Sequence, residues 1–82
     1  MPHVVAACSS CRAFTGGLAE FDVEADTVRR MIQALDRRYP GLGEHIDRRM
    51  AIAIDGEIFQ DADGAPLTAA SEVYLIPRIG GG

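Results

Sequence analysis

Asp26-Thr-Val-Arg-Arg-Met-Ile-Gln-Ala-Leu-Asp-Arg-Arg-Tyr-Pro-Gly41 carries the clearest hydrophobic period in the chain. Val28, Met31, Ile32, Leu35 and Tyr39 recur at i, i+3, i+4, i+7 and i+11, the single apolar stripe of a helix laid on a core. Arg29, Arg30, Gln33, Asp36 and Arg37 fill the opposite face. Asp26 and Thr27 are the candidate N-caps, and Pro40-Gly41 ends the element.

Everything around this helix reads as strand or loop. Upstream, His3-Val-Val-Ala-Ala-Cys8 is a short apolar run of the buried-strand kind. Leu18 to Glu24 alternates, with Leu18, Glu20, Asp22 and Glu24 facing one way and Ala19, Phe21 and Val23 the other. These two strands should form a hairpin across a loose loop containing Gly16 and Gly17. Downstream, Leu42 to Arg49 can add a helical turn with Leu42 and Ile46 inward. Met50-Ala-Ile-Ala-Ile54 is a strand, and Asp55-Gly56 signals a tight turn into Glu57-Ile-Phe59. Asp61 to Pro66 is loop. Val73 to Ile76 is continuously apolar, with Val73 and Leu75 on one face and Tyr74 and Ile76 on the other. A strand apolar on both faces belongs at the centre of a sheet or under a partner. Alternation alone does not say which pair faces the helix. The class is α+β, with the order β-β-α-β-β.

Size and charge narrow the function. A chain of 82 residues has room for one sheet, one main helix and little else, which disfavours a deep substrate cavity. Net charge is 8 − 12 = −4, which argues against a nucleic-acid partner bound through its phosphates. All the basic residues are arginine, so tagging of its own side-chain amines is excluded. No run reaches the roughly 18 apolar residues of a membrane span, and residues 1 to 8 lack the pattern of a signal peptide. A cytoplasmic protein with reduced cysteines is expected.

Gly80-Gly81-Gly82 follows the last strand. Glycines with no Cβ let backbone lie extended in a slot too narrow for other residues, and the reactive group delivered there is the Gly82 carboxylate. Such a tail suits a protein whose terminus is another enzyme's substrate, and taken alone it equally suits a frayed end or an engineered linker. The domain is read as residues 1–77, with a flexible tail at 78–82. Five extended residues at about 3.3 Å each would reach on the order of 16 Å from the sheet.

With those elements in place, the chain resembles the ubiquitin-like sulfur carriers, the family of the molybdopterin-synthase small subunit and the thiamine-pathway carrier. The matching residues are Val23-Glu-Ala-Asp-Thr-Val28, Leu35, Arg38-Tyr-Pro-Gly-Leu42, Ala51-Ile-Ala-Ile-Asp-Gly-Glu57, Pro66-Leu67, Glu72-Val73 and Gly81-Gly82. They span nearly the whole chain in order, and Arg38 to Leu42 is closer to the molybdopterin-synthase type. The resemblance implies a β-grasp fold, with a mixed sheet of four to five strands and one main helix. It also implies a carrier and not an enzyme. An E1-like enzyme would use ATP to adenylate Gly82, a persulfide would displace AMP, and the resulting thiocarboxylate would donate sulfur, with molybdopterin synthesis the favoured pathway. The carrier would bind no cofactor, and its partners would be the E1-like enzyme and a sulfur-accepting large subunit. Gly80 and Gly81 would form the tail; Tyr74, Ile76, Arg78 and Ile79 would meet the partner. Two departures from the family pattern are the third glycine, Gly80, and the Cys8-Ser-Ser-Cys11 stretch.

Other sites compete for a role. Cys8-Ser9-Ser10-Cys11 invites a thiol-redox reading, but Arg12 to Gly17 leaves too little chain for the helix that would activate the first cysteine. A small core Cys8 and a loop Cys11 are expected instead. His3, Cys8, Cys11 and His45 make a poorly spaced zinc set. The pairs Arg29-Arg30, Arg37-Arg38 and Arg48-Arg49 read first as solvated helix faces and second as a docking patch for acids. The alternative to a carrier is a β-grasp interaction module whose tail is never activated. A small thiol-redox protein is the third reading.

Overall fold

A computed structural model describes residues 1–7, 9–59 and 62–78. Five strands form one sheet: β1 (His3–Ala6), β2 (Glu20–Asp22), β3 (Met50–Ile54), β4 (Glu57–Phe59) and β5 (Glu72–Pro77). Their spatial order is β2-β1-β5-β3-β4. β1 and β5 are parallel neighbours, and the other pairings are antiparallel. The strand that is apolar on both faces is therefore the central one.

Helices α1 (Ser9–Arg12), α2 (Val28–Arg38) and α3 (Leu42–Arg49) complete the fold. The apolar stripe of α2 is buried as its period predicts, with Val28, Met31, Ile32 and Leu35 all inside. Thr27 is the cap: its hydroxyl accepts the Arg30 backbone N–H at 3.2 Å. Leu42 and Ile46 of α3 extend the same core, where they join Val4, Val23, Val73 and Leu75. Asp55 and Gly56 take φ of 49° and 88°, the left-handed pair that a two-residue hairpin between β3 and β4 demands.

One expectation is corrected. The connection between β1 and β2 is not a plain loop, because Ser9 to Arg12 closes one helical turn after β1. That turn carries Cys11 into the core at 0% exposure, so Cys11 is a buried helical residue and not a loop residue. The segment is short enough that no hydrophobic period shows it; packing on β1 and α3 holds it. The far end carries Arg78, the first of the residues assigned to the tail. Arg78 belongs to the folded body: its N–H donates to the Arg49 carbonyl at 3.0 Å, and its guanidinium donates to the carbonyls of Asp47 (3.1 Å) and Met50 (3.2 Å).

Candidate functional site

The exit of the chain from the sheet and the open face beside it form the candidate site. Because β5 lies between β1 and β3, whatever follows Pro77 leaves from the middle of the sheet. Met50 pairs with Pro77, so the start of β3 flanks that exit. Three hydrogen bonds hold Arg78 at that exit. Ile79, Gly80, Gly81 and Gly82, the other residues assigned to the tail, lie outside the described residues.

The open question of β5 is settled by α2 and α3. Val73 and Leu75 are both 0% exposed and face the helices, whereas Tyr74 is 42% exposed and Ile76 is half-buried on the opposite face. The register makes that opposite face a continuous patch. Tyr74 pairs with Val5 on one side and Ala53 on the other, and Ala53 pairs with Ile58. Ile76 pairs with Ala51. Small alanines between larger side chains leave Tyr74, Ile76 and Ile58 standing above a flat floor. Among the described residues no helix covers them, and an apolar patch left on an exposed face is a candidate contact surface.

Acidic groups edge this patch. Glu20 pairs with Val5, and Asp22 with His3. His3 holds both: Nε2 lies 2.8 Å from Glu20 and Nδ1 lies 3.1 Å from Asp22. Both nitrogens can donate only in the imidazolium, so the hydrogen bond to Glu20, then that to Asp22, raises the His3 pKa above its ordinary value.

The competing sites fare differently. His45 and His3 have different partners: His3 is held by Glu20 and Asp22, whereas the Nε2 of His45 lies 3.0 Å from the Ser10 hydroxyl and its ring sits 5.2 Å from that of Phe14. Among the described residues no group of three or more His, Cys, Asp or Glu is placed to hold a metal ion. The redox reading asks for a reachable thiol, and Cys11 is buried; Cys8 lies outside the described residues. Of the arginine pairs, Arg29 bonds Asp63 at 3.0 Å, Arg30 approaches Asp26 at 3.6 Å, and Arg48 meets Glu44 at 3.2 Å. Sequence reasoning missed the clustering of Phe14, Ser10 and His45 between α1 and α3, and the anchoring of Arg78. Neither is periodic; the one available signal was an exposed aromatic, Phe14, inside an otherwise polar loop.

The ThiS family model matches residues 10–82, which is nearly the whole chain and includes the tail. The chain belongs to the ThiS family. Its kin are ubiquitin-like sulfur carriers of β-grasp fold, and the observed sheet order and crossing helix are that fold. Two solved structures are similar to this ThiS-family chain throughout. Mycobacterium tuberculosis CysO, described as an antigen, superposes with a TM-score of 0.84 at 20% identity, covering 96% of this chain and 100% of its own. The Amycolatopsis orientalis BexX/CysO complex gives 0.83 at 18% identity and covers 100% of both chains. At such identities the likeness is one of fold. No curated protein matches the sequence.

Proposed function

We propose that this ThiS-family carrier is loaded with sulfur at the Gly82 carboxylate. An E1-like enzyme binds ATP and the carboxylate attacks the α-phosphate, releasing pyrophosphate and forming an acyl-adenylate. A persulfide sulfur then attacks the acyl carbon and AMP leaves; reductive cleavage of the resulting acyl disulfide by a second thiol frees the thiocarboxylate. A carboxylate alone is a poor acyl donor, and the adenylate supplies the leaving group. The carrier contributes no general base, so the chemistry belongs to its partners, in the cytoplasm.

The observation that carries this reading is the family match running through Gly82, on a body whose central strand ends beside an exposed apolar face. Tyr74 and Ile76 are assigned to that docking face, and Arg78 to holding the root of the tail. The presence of a CysO in complex with BexX supports a docking role for this fold. For the acceptor, Arg38-Tyr-Pro-Gly-Leu42 favours the molybdopterin-synthase type. A cysteine-forming route would use the same tail.

The test is intact mass after incubation with ATP, the E1-like enzyme of the same organism and a sulfur donor. Exchange of one oxygen for sulfur, absent when Gly82 is deleted, is the expected result. An unchanged mass, with the enzyme active on another carrier, overturns loading and leaves the interaction-module reading. Offering the loaded protein to a molybdopterin-synthase large subunit and to a cysteine-forming enzyme then decides the acceptor.

A further inference from the structure

Four arginines of this small acidic protein gather at one end of its sheet, with Glu44 and Asp47 of α3 beside them. β1 and β5 run parallel and β3 runs against β5, so the ends of β1 and β5 and the start of β3 share one end with the chain exit. Arg12, Arg48, Arg49 and Arg78 stand there, all exposed. Arg12 is fixed over the last residue of β1, its Nε donating to the Ala6 carbonyl at 3.2 Å. Arg49 immediately precedes Met50, whose partner is Pro77. Among the described residues, Arg12, Arg49 and Arg78 have no carboxylate in ion-pair range. Asp22, Asp55, Glu57 and Glu72 gather at the opposite end, where β1 and β5 begin and β3 turns into β4.

We infer that this arginine ring is a docking surface for carboxylates around the mouth of a partner enzyme's catalytic cleft. The inference rests on the carrier reading. A body of net charge −4 is repelled as a whole by an acidic partner, yet Arg12, Arg49 and Arg78 cluster at the chain exit, so the local field favours approach tail first. Distance decides what the ring meets. The four residues beyond Arg78 span at most about 14 Å when extended, so the arginines at the root stay that far behind the Gly82 carboxylate. They face the rim of the cleft and not the nucleotide phosphates at its floor. Arginine, with its planar fork, pairs with such carboxylates bidentately.

The test compares wild type, Arg49→Glu and Arg12→Glu/Arg49→Glu as substrates of the E1-like enzyme of the same organism, with thiocarboxylate formation followed by mass. Glu57→Lys, at the other pole, is the control, and circular dichroism verifies folding. The expected result is a kcat/KM about tenfold lower or more for the double variant at low salt, carried by KM, with kcat kept. Glu57→Lys should stay within about twofold, and the gap between variants should close near 1 M salt, where the Debye length is about 3 Å. Equal kcat/KM for folded variants, or a loss confined to kcat, overturns the docking surface and leaves the carrier reading standing. A wild type that is never loaded overturns the carrier reading and the inference with it.

Discussion

The backbone N–H of Arg78 donates to the carbonyl of Arg49 at 3.0 Å, and this bond ties the residue after the central strand to the end of α3. Its guanidinium adds two more carbonyl acceptors on Asp47 and Met50. If the tail is threaded into a partner's cleft as proposed, a root held in place leaves less freedom to lose on entry.

Replacing Arg78 with Ala removes both side-chain bonds and keeps the backbone one. These bonds are largely exposed, so the expected loss is about 0.5–1 kcal/mol in urea unfolding. Loading should suffer more than stability, as a raised KM for the E1-like enzyme. An Arg78→Ala carrier loaded at the wild-type rate would show that the root needs no fixing.

Neighbouring residues on β5 should respond in opposite ways. Leu75 is fully buried against the helices, so Leu75→Ala should cost about 2–5 kcal/mol. Tyr74→Ala, on the open face, should cost below about 1 kcal/mol yet weaken binding to the partner. Denaturation midpoints paired with a pull-down on the activating enzyme separate the two effects; a Tyr74→Ala protein that binds normally removes Tyr74 from the docking face.

Gly43 is required for space. A Cβ placed there would sit 2.8 Å from the Cβ of Asp36, whose carboxylate also accepts the N–H groups of Gly41 and Gly43 at 3.1 and 3.0 Å. Gly43→Ala must push α3 away from α2 and break that cap. A loss of about 1–3 kcal/mol is expected by thermal or urea unfolding. An unchanged midpoint would mean that the two helices part without cost.

His3 predicts a pH dependence with a definite sign. Its folded pKa is raised by Glu20 and Asp22, so the folded state holds its proton more tightly than the unfolded chain. The stabilisation is complete below the ordinary value near 6.5 and fades as pH rises through the higher folded value. The melting temperature should therefore fall slightly across that window, and His3→Gln should flatten this part of the curve. A histidine ring NMR titration centred at or below 6.5 would contradict the geometry.

Much of the fold was legible because it is written in local periods. The 3.6-residue stripe from Val28 to Tyr39, the alternation from Leu18 to Glu24, and the Asp55-Gly56 turn each report an environment through neighbours a few residues apart. The family resemblance was legible too, carried by short stretches spread along the chain in order.

The tertiary structure alone decided what depends on residues distant in sequence. Val73, Tyr74, Leu75 and Ile76 are all apolar, so only the side on which α2 and α3 pack makes Tyr74 and Ile76 the open face. Four amino acids at Ser9–Arg12 hold no period, and only packing against β1 and α3 makes them a helix that buries Cys11. Arg12, Arg49 and Arg78 come together because parallel pairing of β1 with β5, and antiparallel pairing of β3 with β5, put three chain segments at one end. Periodicity is a property of the chain, whereas a surface is a property of the pairing that folding imposes on it.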